Sequence, residues 1–257
     1  MRNGYQDAVS RLIPMILRKL KMPYWDVVPL MDMIAVTWLL VCWVGYTWVT
    51  DHRQWRHRDL SRVMHMHRRR WMDRMMEREN RMPDVNIIIA HHRSGALFCS
   101  TSLLILAGIV AILGNVERLR GALSEFVFAT QASQALIELK AVVLLMIFIY
   151  GFFKFAWCLR QYNNALVLIG GAPQANDDDK EGHADYAERA AQVLSRGNGT
   201  FNRGMRAYYF GLATLVWFVQ PALYIVAIIW VIGVLYRREY RSVTLSALAL
   251  EADGSSP

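Results

Sequence analysis

Apolar residues in this chain come in long blocks rather than in the short periodic stripes of a soluble fold. Residues 33–49, 96–113, 136–157 and 207–236 carry only three charged side chains between them. A helix needs about 20 predominantly apolar residues, rising 1.5 Å each, to cross a hydrocarbon core of roughly 30 Å. Open strand edges would leave backbone groups unsatisfied in lipid, so the blocks predict helices. The expected fold class is therefore all-α, a polytopic transmembrane helical bundle of four or five spans with amphipathic interfacial helices. A single membrane domain is expected over 30–242, with spans at about 30–50, 96–113, 135–157 and 204–236. A basic extension, 1–29, and a flexible tail, 243–257, flank it. The last block holds Gln220-Pro221 near its centre, which makes it either one kinked span or a helical hairpin with its tip at that dipeptide.

The polar stretches between the blocks also read as helical. Leu60, Val63, Met64, Trp71, Met75 and Met82 recur at spacings of three, four or seven, so they share one face. Pro83-Asp84 is expected to break this helix and start the next, with Asp84 as N-cap, and from Val85 the chain can run on into the second span. Val116, Leu119, Leu123, Phe126 and Val127 predict an amphipathic helix on the opposite leaflet. A loop at 170–181 and an Ala-rich helix at 184–195 complete the segment 158–203.

Charge decides which face is which. Residues 51–93 hold eleven arginines, six histidines and no lysine. Positive-inside reasoning makes this stretch and 158–203 cytoplasmic. With five spans the Arg-rich side collects 20 Lys and Arg residues against 7, a larger bias than four spans give, so the count favours the hairpin with the C-terminus inside. The net charge of +8 in a chain 54% hydrophobic points to anionic lipid headgroups rather than nucleic acid. Residues 1–29 show no apolar core or cleavage site of a signal peptide. Cys42, Cys99 and Cys158 fall in separate spans and are expected as free thiols.

Six strings, taken in order, carry a resemblance: Cys42-Trp43-Val44-Gly45-Tyr46, Arg78-Glu79-Asn80-Arg81, Ile105-Leu106-Ala107-Gly108-Ile109, Arg160-Gln161-Tyr162-Asn163, Arg206-Ala207-Tyr208-Tyr209-Phe210 and Leu235-Tyr236-Arg237-Arg238-Glu239. Together they resemble a bacterial integral-membrane family known as domain of unknown function 599, which also has plant relatives. The likeness runs over about 33–242. It implies the fold and a location in the bacterial inner membrane, and it implies no activity, cofactor or catalytic residue.

Candidate chemistry is sparse. His52, His57, His91 and His92 border the first two spans and are weak candidates for haem or a metal, since none lies within an apolar block. Glu138, Lys140 and Lys154 are charges inside the third span, expected to sit near the interface and to snorkel or be capped. Glu79, Asn80, Asn86, Arg93, Arg160, Gln161, Tyr162 and Asn163 are expected to meet beneath the bundle as a polar pocket for a phosphate or lipid headgroup. Arg68, Arg69 and Arg70 are expected to face anionic lipid. Met72, Met75 and Met76 suit an adaptable partner surface. Ser94, Gly95, Cys99, Ser100, Thr101, Ala107, Gly108 and Ala111 form a small-residue face fit for close helix packing. Asp177-Asp178-Asp179 lacks the glycine and distal glutamate of a calcium loop. No nucleotide-binding, nucleophile-elbow or zinc-protease motif is present. The function expected is a non-enzymatic scaffold or accessory subunit, without cofactor, binding lipid and a protein partner or a second copy. A small-solute channel or transporter, or a lipid-modifying or haem-dependent enzyme, are the alternatives.

Overall fold

A computed structural model describes residues 29–53, 60–125, 133–175, 180–241 and 247–248, and among them there are seven principal helices and no strand. They are α1 (Leu30–Arg53), α2 (Leu60–Met76), α3 (Met82–Leu113), α4 (Val116–Ser124), α5 (Gln134–Gly170), α6 (Lys180–Trp217) and α7 (Pro221–Tyr240). Leu30–Thr50, Met82–Leu113, Gln134–Gly170 and Pro221–Tyr240 are long and apolar enough to cross a membrane. Their outer faces carry Val44, Trp48, Leu104, Phe153, Trp157 and Trp230, all well exposed. Large apolar side chains turned outward on four helices at once suit lipid and not water. The chain is an all-α, multi-pass membrane protein.

Three helices are longer than a membrane requires. The 32, 37 and 38 residues of α3, α5 and α6 amount to about 48, 55 and 57 Å at 1.5 Å per residue, against roughly 30 Å of hydrocarbon. Their surplus lengths pack with α2 into a four-helix stalk. Its core holds Met72, Met75, Met76, Ile88, Tyr162, Ile169 and the Ala187, Ala190, Ala191 face of α6. The methionines thus fill the stalk interior and offer no partner surface. Helix α2 stands along α6 in antiparallel register: His65 meets Ser195 at 2.9 Å, and Arg69 meets Glu188 at 3.2 Å.

Element boundaries differ from expectation where a turn is fixed by side chains. Helix α2 ends at Met76, before Pro83, and α3 starts at Met82 with the proline in its first turn. Asp84 is no N-cap. It is fully buried, accepting from Trp71 Nε1 at 2.7 Å and pairing with Arg78. Asn80 Oδ1 instead takes the Met82 N–H at 3.0 Å. The Ala-rich helix is not separate but the first half of α6. Helix α6 then stops at Trp217, and α7 begins at Pro221 and returns beside it, since Thr214 faces Tyr224 while Tyr209 faces Arg238.

The packing of α5 on α6 rests on a pattern spaced by seven. Phe148, Phe155 and Tyr162 each fill the space over a glycine of α6. A Cβ would meet Phe148 at 2.9 Å if built on Gly211, Phe155 at 2.8 Å on Gly204, and Tyr162 at 2.9 Å on Gly197. Ring neighbours Phe98, Phe201 and Tyr208 close around Phe155 at 5.4–5.5 Å between centroids. On the small-residue face of α3 Gly95 packs tightly, since a Cβ built on it would meet Leu159 at 3.0 Å, while Ser94, Ser100, Ala107, Gly108 and Ala111 are exposed.

Candidate functional site

Two buried polar layers mark the two ends of the bundle. At the end where α1 and α7 begin, Lys140 is only 2% exposed and does not snorkel. Its Nζ lies 3.1 Å from Asp32 Oδ1 and donates to the Trp217 carbonyl at 3.0 Å. Asp32 also accepts from Trp217 Nε1 at 2.8 Å, and the Trp217 ring stacks on Tyr224 at 5.4 Å. The cause is local. Trp217 closes α6, and the residue four places on is Pro221, which has no N–H to offer its carbonyl. Lys140 supplies the missing donor, and Asp32 balances the charge that this brings into the bundle.

At the basic end Arg206, 5% exposed, lies over the Tyr46 ring at 5.6 Å and within 3.9 Å of Glu239. The Tyr46 hydroxyl donates to Glu239 Oε2 at 3.0 Å, and Arg238 donates to the Tyr209 hydroxyl at 3.4 Å. Arg206, Tyr209, Arg238 and Glu239 border a cleft of about 160 Å³ between the first turn of α2 and helices α6 and α7, with Tyr46 behind Arg206. Ser61, Asn198, Asn202 and Arg238 give it polar walls, and Leu60, Met64, Met205 and Leu235 apolar ones. Three of the six strings singled out in the sequence end here, through Tyr46, Arg206 and Tyr209, and Arg238 and Glu239.

At 1.5 Å per residue, Asp32 to Tyr46 along α1 is about 21 Å and Pro221 to Glu239 along α7 about 27 Å, against roughly 30 Å of hydrocarbon. Arg206 to Trp217 along α6 is only about 16 Å, but side chains lean toward a helix N-terminus, so the Arg206 arm reaches further out.

The eight residues expected to form one polar pocket are not brought together. Asn86, Arg93, Arg160 and Asn163 are exposed, as is Glu79. Tyr162 is buried in the stalk core, Gln161 donates to Thr200 at 3.3 Å, and Asn80 accepts the Met82 N–H. Arg160 and Asn163 flank Gln161 and Tyr162 on a helix whose inward face is taken by Tyr162, so they turn outward. Arg81 has a different task from its neighbours, donating to the carbonyls of Ala172, at 2.8 Å, and Pro173. That clamps the α2–α3 turn onto the α5–α6 turn at the tip of the stalk.

The other candidates scatter. Glu138 is half-buried and bonded to Gln134 at 2.9 Å, and Lys154 lies over the Tyr150 ring at 5.0 Å. Arg69 and Arg70 are exposed on α2, and Arg68 is half-buried, donating to Ser195 at 3.3 Å. Burial pushes the Arg68 guanidinium below its ordinary pKa. His91 is exposed with its ring on the edge of Tyr162 and its Nδ1 at 2.9 Å from the Ile87 carbonyl, and His92 is half-buried. The His52 side chain, His57, residues 177–179, Phe126, Val127 and residues 1–28 lie outside what the structure describes. No group of three or more metal-ligating side chains occurs among the described residues. Cys42, Cys99 and Cys158 are free.

Neither a curated protein nor a solved structure matches the chain. A family model does, over residues 34–244, which take in the whole stalk and, Asp32 excepted, both polar layers. The chain belongs to the family described as "Protein of unknown function, DUF599".

Proposed function

We propose that this protein is a non-enzymatic scaffold of a bacterial inner membrane, which holds a four-helix stalk off its basic, cytoplasmic face as a docking platform for an acidic protein surface. One observation carries the reading. Glu188 of α6, paired with Arg69 at 3.2 Å, lies ten positions before Asn198, the first cleft residue on that helix, which sets Arg69 roughly 15 Å beyond the cleft along the α6 axis. In this reading Arg69 and Arg70 stand on the flank of an upright helix, clear of the headgroups. A Debye length of about 8 Å at physiological salt screens most of their pull on a membrane surface so far off. Exposed Arg62, Arg69, Arg70 and Arg74 outnumber exposed Asp73 on α2, which suits an acidic partner.

In-cell photo-crosslinking from Met66 and Arg70 tests this, with outward-facing Trp230 of α7 as control. Adducts to one protein are expected from the stalk positions and not from Trp230, and they should vanish on charge reversal of Arg69 and Arg74. A stalk that is folded and forms no such adducts would sink the proposal. The channel reading draws on the buried Asp32–Lys140 pair, but capping of α6 accounts for that pair, and its position at the bundle end leaves no carboxylate at mid-depth to relay an ion.

A further inference from the structure

We infer that the cleft between α2, α6 and α7 binds a phosphate group, carried by a membrane phospholipid. Its charge selects the ligand: Arg206 and Arg238 face one carboxylate, Glu239, so the walls are net positive and unsuited to a metal cation. Arg206 is built in rather than waving from the surface, being 5% exposed with its guanidinium on the Tyr46 ring. Arginine matches phosphate oxygens with two parallel N–H donors. Asn198 and Asn202, one turn apart on α6, and Ser61 across from them add donors for further oxygens.

Size and place name the bearer. A water molecule takes about 30 Å³ of liquid. The cleft of about 160 Å³ thus admits a phosphate and its ester carbons, but it falls below the range of about 300–1,000 Å³ of sites that enclose whole small molecules. It lies at the basic end of the bundle, where Glu239 is about 27 Å along α7 from Pro221 at the other end, close to the roughly 30 Å that separates two headgroup layers. Leu60, Met64 and Met205 beside the polar wall would meet the glycerol and first acyl carbons.

The full-length protein, delipidated and held in detergent, is titrated by native mass spectrometry with phosphatidylglycerol, phosphatidylethanolamine and diacylglycerol, and separately with inorganic phosphate. Both phospholipids should be retained about tenfold better than diacylglycerol, the worth of one charge-assisted hydrogen bond. Arg206→Gln should abolish the preference but also touches the bundle. Arg238→Gln, exposed, and Asn202→Leu, half-buried, should therefore each lower phospholipid retention by about tenfold with melting unchanged. Arg70→Gln on the stalk should leave retention as it was, which separates this site from the docking platform. Binding of inorganic phosphate without phospholipid preference would keep the anion chemistry and overturn the lipid as its bearer. No preference for either phosphate source, or equal retention by the cleft variants and the unaltered chain, would overturn the inference altogether.

Discussion

Lys140, inside an apolar block of α5, is held by a carboxylate from α1 and a carbonyl from α6. Its place inside an apolar block is plain from the sequence, and Asp32, at the start of another, is equally plain. What joins them is the direction of the passes: α1 and α5 both start from the same end of the bundle, so a charge near the start of each can meet. The third member, the Trp217 carbonyl, is also legible once Pro221 is seen to withhold the N–H four residues on. Removing one member of a buried pair strands the other and typically costs about 3–5 kcal/mol. Lys140→Met should therefore lower the melting temperature strongly, and Asp32→Asn somewhat less, because Trp217 Nε1 keeps an acceptor. The double variant should recover much of the loss, because the uncompensated charge is gone. If it melts no higher than Lys140→Met alone, the pair is not what binds α1 to α5 and α6.

At the scale of elements, the two longest helices are joined by alternation of bulk and its absence. Ring positions 148, 155 and 162 on α5 descend against glycines 211, 204 and 197 on α6, and a strict spacing of seven keeps the two sets facing as the helices wind round each other. Glycine within a helix normally weakens it. Here each supplies room for a ring, which is why α6 runs unbroken through three of them. Gly204→Ala must push Phe155 against Phe98 and Phe201, and overpacking of this kind costs about 1–3 kcal/mol. Gly108→Ala on α3, with nothing within 4 Å of the new methyl, should stabilise its helix by about 0.5–1 kcal/mol. Thermal melts of the two variants should move in opposite directions, and a neutral Gly204→Ala would show that the rings do not depend on these gaps. The sequence makes the apolar passes visible because composition alone marks them. Its small-residue face on α3 misleads because small residues facing lipid look the same as small residues facing a helix. The working face on α6 hides in a polar stretch, and only the matching spacing of rings on α5 would have pointed to it. The cleft was hidden for a related reason: Arg206, Arg238 and Tyr46 belong to three helices far apart in the chain, whereas the strings around Arg160 and Glu79 looked adjacent only on a flat reading of the basic side.

For the whole molecule, the order of the helices fixes a sidedness that can be tested. The polar layer of Asp32, Lys140 and Trp217 joins the start of α1, the start of α5 and the end of α6, and the layer of Tyr46, Arg206 and Glu239 joins the far ends of α1 and α7 to the middle of α6. Helices α1, α3, α5, α6 and α7 therefore alternate in direction. Were the apolar half of α6 a full crossing, the chain would pass five times and α4 would lie opposite the stalk, at the same end as the start of α1. That half, 207–217, is short for about 30 Å of hydrocarbon, and the outward lean of Arg206 is what lets it serve. Five passes also place Arg237, Arg238 and Arg241 on the stalk side, in keeping with the excess of arginine there. Single cysteines at Ser124, Arg189 and Arg241, in a chain otherwise free of them, can be labelled with an impermeant maleimide in vesicles of known orientation. Arg189→Cys and Arg241→Cys should react from one side and Ser124→Cys from the other. Reaction of Arg241→Cys together with Ser124→Cys would mean that α6 and α7 together cross only once, entering by the stalk face and leaving by the other, and would remove both the fifth pass and the headgroup depth assigned to the cleft.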